Sequence, residues 1–275
     1  MTKTENDPHE AFRVENAKTV AGYAGDLAWQ EVSRDWLNLA FRRRYMYNFE
    51  WMGRPIIQIP VDMVAMQELI WDVKPDLIIE TGIAHGGSLI FAASQLAQLD
   101  MVEAIETGGV FDPNQTKRRV LGIDIDIRAH NREAIETHPM AHRIDMIEGS
   151  SIDQATVDQV KDYAAEYDRV LICLDSNHTH DHVVAELELY APLTSKGSYC
   201  IAFDSVVEDL PDDLFPDRPW SKGNNPKTAI HAFLKTLENT EVKAADGDVL
   251  KLEIDQQRQD KLMLSVAPDG FLRRI

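Results

Sequence analysis

One stretch constrains this chain more than any other: Leu77-Ile78-Ile79-Glu80-Thr81-Gly82-Ile83-Ala84-His85-Gly86-Gly87-Ser88. A short apolar run ends in a carboxylate, a Gly-x-x-x-Gly turn follows, and the small-residue apolar segment from Leu89 to Leu99 has helical character. A strand entering a helix through such a turn leaves backbone N–H groups at the helix start, with no Cβ in the way of a ligand. That geometry cradles a nucleotide-like cofactor at the carboxyl edge of a parallel sheet. A dinucleotide fingerprint reads Gly-x-Gly-x-x-Gly. This turn reads Glu-x-Gly-x-x-x-Gly, the form typical of S-adenosylmethionine (SAM) sites. The competing reading is a glycine-rich turn with a purely structural job.

Downstream the pattern alternates. Strands are expected at Leu77–Glu80, Val120–Asp124, Asp145–Glu148, Val170–Asp175 and Tyr199–Phe203, and helices at about Gly87–Leu99, Ala129–Thr137, Ile152–Glu166 and His182–Tyr190. Continuous Val/Ile/Leu runs mark strands buried on both faces, which predicts an α/β, Rossmann-like, doubly wound and mostly parallel sheet. Residues 63–275 form that domain, opened by a helix over Met63–Val73. Residues 1–62 read as an N-terminal helical extension, with helical spacing from Asn16 to Tyr47 through Trp29, Trp36, Leu39 and Phe41. Arg42-Arg43-Arg44 reads as a solvated helix end favoured by the helix dipole. The segment Asp100–Arg119 reads as an insertion with turn residues Gly108, Gly109 and Pro113. After a helix near Lys227–Leu237, Val249–Ile254 and Lys261–Val266 read as late, partly antiparallel strands.

The net charge of −18 repels a phosphate backbone, so nucleic acid is excluded as a partner. No apolar run reaches the roughly 20 residues of a membrane span, and the polar start is no secretory signal. Cys173 and Cys200 sit inside apolar runs and read as core thiols of a cytoplasmic protein.

In such a sheet, ligands bind at the carboxyl ends of the strands. The first strand ends at Glu80. The second ends at Asp124 in Gly122-Ile-Asp-Ile-Asp126, where an acid can accept both ribose hydroxyls or simply cap the strand end. Its separation from the glycine turn exceeds the usual ~20 residues. Ser150 and Ser151, after the third strand, suit an adenine edge or the cap of the next helix. The fourth strand gives Leu174-Asp175-Ser176-Asn177-His178-Thr179-His180-Asp181-His182, and the fifth Phe203-Asp204-Ser205. Neighbouring strands run ~5 Å apart, so Asp175 and Asp204 repel unless a cation or proton lies between them. Hard oxygen donors favour Mg²⁺. His178 suits a general base, or a helix cap. The long loop 205–226 reads as a lid whose Arg218, Trp220, Lys222 and Asn224 can hold an acceptor.

Glu80–Ser88, Gly122–Asp126, Leu174–His178 and Arg218-Pro-Trp-Ser-Lys-Gly-Asn-Asn-Pro226 together resemble the cephalosporin hydroxylase / rhamnosyl O-methyltransferase family over roughly residues 40–275. The final Ala267-Pro-Asp-Gly-Phe-Leu-Arg273 also fits its usual ending. The resemblance implies a class I SAM-dependent methyltransferase fold in which Glu80, Gly82, Gly86 and Asp124 face SAM. Ser88 belongs to the same turn. It further implies Mg²⁺ on Asp175 and Asp204, and His178 as the base. Some relatives carry Glu-Asp at the end of the fifth strand, where this chain has Phe203-Asp204. That departure leaves the third metal ligand open among Ser205, Glu208 and Asp209.

The expectation is thus a SAM-dependent, divalent-metal-assisted O-methyltransferase acting on a hydroxyl of a sugar-type small molecule, assembled as a homo-oligomer. Two other readings compete. His178, His180 and His182 approximate a metal cluster of a hydrolase or a non-haem iron oxygenase, and a methyltransferase-like fold can also serve as a non-catalytic binding module.

Overall fold

The computed structural model describes residues 7–275, so residues 1–6 of the polar start lie outside it. In chain order the elements are α1 (Pro8–Tyr23), α2 (Leu27–Arg42), β1 (Phe49–Trp51), β2 (Arg54–Ile56), α3 (Pro60–Val73), β3 (Leu77–Thr81), α4 (Gly87–Thr107), β4 (Arg119–Asp124), α5 (Ala129–Glu136) and β5 (Ile144–Glu148). They continue with α6 (Gln154–Ala164), β6 (Val170–Leu174), α7 (His180–Tyr190), β7 (Tyr199–Ala202), α8 (Pro226–Asn239), β8 (Leu252–Ile254), α9 (Gln256–Leu262) and β9 (Phe271–Arg274).

Seven strands form one sheet in the order β5-β4-β3-β6-β7-β9-β8. The pairs from β5 through β7 are parallel, and β9 runs antiparallel between β7 and β8. This is the doubly wound α/β class. Alternate strand residues feed two cores, as the two-residue period of a pleated strand requires. Ile78, Val120, Leu171 and Ile201 face α3 and α4, whereas Ile79, Leu121, Ile172 and Cys200 face α6, α7 and α8. Chain direction across the sheet reverses at β3 and β6, and the crevice beyond their carboxyl ends is where such folds bind ligands.

Three readings of the sequence need correction. The helical stretch 16–47 is two helices, broken at residues 24–26, where the Asp26 carboxylate caps α2 by accepting from the Trp29 N–H (3.0 Å). The buried face of α2 is Ser33, Leu37 and Ala40, while Trp29 and Leu39 are half exposed. Lys261–Val266 is not a strand but the end of α9 followed by coil, and the last strand is Phe271–Arg274. Finally, Asp100–Arg119 is only partly an insertion, since α4 runs on to Thr107. Its remainder is held by a cluster in which Asp100 pairs with Arg118 and with the buried Arg143.

The hairpin β1–β2 was not legible in the sequence, and it lies across the start of α4. A Cβ on Gly87 would sit 2.1 Å from the Pro55 carbonyl oxygen. Leu37, Met46, Ile56 and Ile59 join the same core as Ile78 and Leu89, so the N-terminal elements pack directly on the sheet's helices. Among the described residues, no helix is long and apolar enough to cross a membrane.

Candidate active site

The glycine turn is built on left-handed dihedrals and close approaches that favour glycine. Gly82 has φ +89°, and a Cβ there would lie 2.1 Å from the Asp175 carbonyl oxygen. Gly86 has φ +80°, and its Cβ would strike Ile135 of α5. The turn is pinned from three sides. The Asp124 carboxylate accepts from the Ile83 N–H (2.8 Å) and the Ala84 N–H (3.4 Å). The buried Asn131 donates to the Ala84 carbonyl (2.8 Å). Arg54 of the hairpin donates to the His85 carbonyl (2.6 and 3.0 Å). Asp124 therefore has a capping role, its other oxygen accepting from the Asp126 N–H (3.1 Å). Glu80 lies beneath the turn, buried, with the Ser88 hydroxyl donating to it. Burial pushes its carboxyl up to about 7, against the lowering effect of Ser88.

The metal-type donors come from the two strand ends across the crevice. Asp175 follows β6 and Asp204 follows β7, the latter in a left-handed conformation (φ +56°) that a non-glycine residue adopts only at some strain. Asp175, His178 and Asp204 each direct one donor atom to a common point, these atoms lying within 4.8 Å of one another. His178 Nε2 is 3.1 Å from Asp204 Oδ2. Burial, and then the neighbouring charge of Asp204, holds the Asp175 carboxyl well above the usual carboxylate range. A divalent cation between the pair reverses that effect, so the donor set fits Mg²⁺.

The three weaker ligand candidates are engaged elsewhere. The Ser205 hydroxyl donates to the Pro268 carbonyl (2.6 Å), Glu208 accepts from the Gly223 N–H (2.8 Å), and Asp209 pairs with Lys227 (2.8 Å). Nor do the three histidines converge. His180 Nδ1 meets the Thr228 hydroxyl (2.8 Å), and His182 Nε2 lies between Ser151 and Ser176 (3.1 and 3.2 Å). That dispersal removes the geometric basis of a three-histidine hydrolase or oxygenase centre.

The turn and the acids share one cavity of about 510 Å³. Its outer walls come from two segments far apart in the chain. Arg44, Tyr47 and Gln58 supply one, and Phe215, Arg218 and Trp220 the other. The walls are tied together by Arg42–Asp213 (3.0 Å) and by an edge-on Phe41–Phe215 contact (5.9 Å). Trp220 meets the His178 ring edge-on at 4.7 Å, and the Arg218 guanidinium lies 5.2 Å from the Trp220 ring centre. The basic run is thus more than a solvated helix end, because Arg42 braces the loop and Arg44 reaches the cavity, 4.5 Å from the Tyr47 ring.

Seven expected residues do not line this cavity: Glu80, Gly86 and Asp124 support the turn itself, and Lys222, Asn224, Ser150 and Ser151 lie elsewhere. Lys222 lies on an exposed turn, and Asn224 is spent on structure, accepting from the His180 N–H (2.8 Å) and donating to the Pro219 carbonyl (2.9 Å). Ser150 borders a separate open depression beside Glu148 and Ile152. Ser151 is buried, its hydroxyl against His182 and its carbonyl accepting from Tyr190 (2.7 Å). In the other direction, Arg44, Tyr47, Gln58 and Phe215 were missed. Their only sequence signal is a polar Gln58 between the apolar Ile56 and Ile59, since contacts across more than a hundred residues leave no spacing pattern.

A family model described as rhamnosyl O-methyltransferase/CmcI matches residues 43–275. The rhamnosyl O-methyltransferase of Mycobacterium tuberculosis is 28% identical over 266 residues, covering 94% of this chain and 92% of that protein. Its counterpart in Mycobacterium leprae is 29% identical over 227 residues, 82% of each. The solved structure of CmcI with Mg and SAM is similar at a TM-score of 0.48 and 19% identity, over 83% of this chain and 77% of that one. With the family model spanning most of its length, the chain belongs to the rhamnosyl O-methyltransferase/CmcI family of SAM-dependent O-methyltransferases.

Proposed function

We propose that this protein transfers a methyl group from SAM to a hydroxyl of a sugar or sugar-containing small molecule, with Mg²⁺ assisting. One observation carries the reading: Asp175, His178 and Asp204 gather in the same cavity as the Gly82–Ser88 turn. The sugar acceptor is supported by the names of the curated relatives, which are rhamnosyl O-methyltransferases.

In this reading Gly82, Gly86, Ser88 and Glu80 hold the donor, with Asp124 as the ribose acceptor and Ser150 as the adenine-side candidate. Asp175 and Asp204 hold the metal. When bound, SAM supplies an electrophilic methyl and Mg²⁺ the charge that acidifies an alcohol. His178 Nε2 lies 3.1 Å from Asp204 Oδ2, which places the imidazole beside the paired acids as the group to take the acceptor's proton. Trp220 packed on the imidazole limits its rotation, so the base is oriented before the acceptor arrives. Trp220 and Tyr47 offer flat faces to a sugar, and Arg218 offers donors to its hydroxyls. Arg44, Tyr47 and Gln58, from the segment taken as an extension, contribute to the cavity wall.

The test is label transfer from methyl-labelled SAM to a panel of nucleotide-linked sugars and glycans, with Mg²⁺ or with a chelator. Transfer to a sugar hydroxyl that stops on chelation is expected. Transfer only to non-sugar hydroxyls, or transfer indifferent to the chelator, would overturn the sugar or the metal assignment respectively.

A further inference from the structure

One polar group in the cavity wall is not explained by these roles. Gln58 joins β2 to α3 in an extended segment where Ile56 and Ile59 are buried and Ile57 faces outward. That alternation turns Gln58 inward, where it is nine-tenths buried, and its Oε1 has no hydrogen-bond partner among the described residues. It borders both the main cavity and a pocket of about 30 Å³ against Glu80, Ser88 and Asp175. A buried acceptor left unpaired is destabilising, and where a fold retains one, a ligand or water completes it.

The surroundings identify the missing partner by its chemistry. The polar groups of this small pocket are the Glu80 and Asp175 carboxyls, Gln58 Oε1 and the Ser88 hydroxyl, which already donates to Glu80; its remaining lining is apolar. A cationic group with several N–H donors complements such a wall. Of the parts of SAM, only the α-ammonium of its methionine end qualifies, because the sulfonium carries no N–H and adenosine carries no charge.

We infer that Gln58 accepts a hydrogen bond from the α-ammonium of SAM, making it a donor-binding residue outside the glycine turn and the strand-end acids. The inference rests on the SAM reading above. Gln58 is placed by the N-terminal wall, so the same segment that shapes the acceptor side also completes the donor side.

The test compares S-adenosylhomocysteine with 5′-methylthioadenosine, which lacks the amino-acid end, by calorimetry without acceptor. Gln58→Met keeps the length and removes the acceptor. It should weaken S-adenosylhomocysteine by about 10- to 100-fold, the loss expected for a hydrogen bond to a charged group. Methylthioadenosine should bind it as tightly as it binds the wild type, which also shows that the variant is folded. Gln58→Glu retains an acceptor and should hold or raise the ratio of the two affinities. An unaltered ratio in Gln58→Met, or a fall in Gln58→Glu, with the wild type still binding S-adenosylhomocysteine, would overturn the inference alone. Failure of the wild type to bind either compound would overturn the SAM reading and this inference with it.

Discussion

Replacing Asp175 with Asn should stabilise the metal-free protein while abolishing its response to Mg²⁺. In the structure the Asp175 and Asp204 donor atoms lie within 4.8 Å of each other. Two unit charges at that distance repel by roughly 3 kcal/mol at an effective dielectric of about 20. The Asp204 side chain is 32% exposed, so solvent screening brings the figure toward about 1 kcal/mol. Asparagine keeps the shape and removes the charge. The sign of the pH dependence follows from linkage. The folded-state pKa of Asp175 is raised, chiefly by burial and next by Asp204, so ionisation works against the folded state. The penalty is absent below the carboxylate's ordinary range and grows as pH climbs through the raised value. Urea unfolding in the presence of chelator should therefore show Asp175→Asn more stable by about 1–3 kcal/mol at pH 8, with the gap closing in acid. Adding Mg²⁺ should raise the wild-type midpoint and leave the variant's in place. A variant less stable than wild type at pH 8 in chelator, or an equal Mg²⁺ response in both, would refute the paired-acid reasoning.

Other perturbations separate the remaining roles. The Glu80 carboxyl is pushed up to about 7 by burial, so affinity for S-adenosylhomocysteine should rise between pH 6 and 8 as it ionises opposite the ammonium; Glu80→Gln should flatten that rise, and a slope retained in the variant would dissociate Glu80 from the donor. His178→Ala should lower kcat by about 10²- to 10⁴-fold with S-adenosylhomocysteine affinity kept, whereas a parallel loss of affinity would mark His178 as structural. Gly87→Ala drives a Cβ to 2.1 Å from the Pro55 carbonyl oxygen, displacing the hairpin. It should lose about 1–3 kcal/mol in denaturant unfolding, and a neutral outcome would mean that the hairpin does not seal the turn.

The central sheet was legible because its strands carry their own signature. Leu77–Thr81 and Val170–Leu174 are buried at every position, so they read as unbroken apolar runs. The glycine turn was legible for a similar reason, since close approach to Asp175 and Ile135 permits no Cβ. Phe271–Arg274 escaped notice because it is four residues long and half arginine, although the second arginine is buried against Thr194 and Asp246. The strand-end acids could be placed by counting along strands. The direction of His180 and His182, the capture of Asn224 by backbone groups and of Ser151 by the His182 and Tyr190 side chains, and the inward turn of Gln58 depend on which loops meet. Those contacts join residues far apart in sequence.

The brace between Arg42 and Asp213 has an evolutionary consequence. It couples two peripheral segments that frame the mouth of the cavity, while the glycine turn and the paired acids follow interior strands. Exchange of the brace and its flanking aromatic pair can therefore recut the entrance for a different hydroxyl-bearing molecule without disturbing the sheet. Grafting this rim between relatives should then change which hydroxyl-bearing molecule enters while leaving the fold's stability in place.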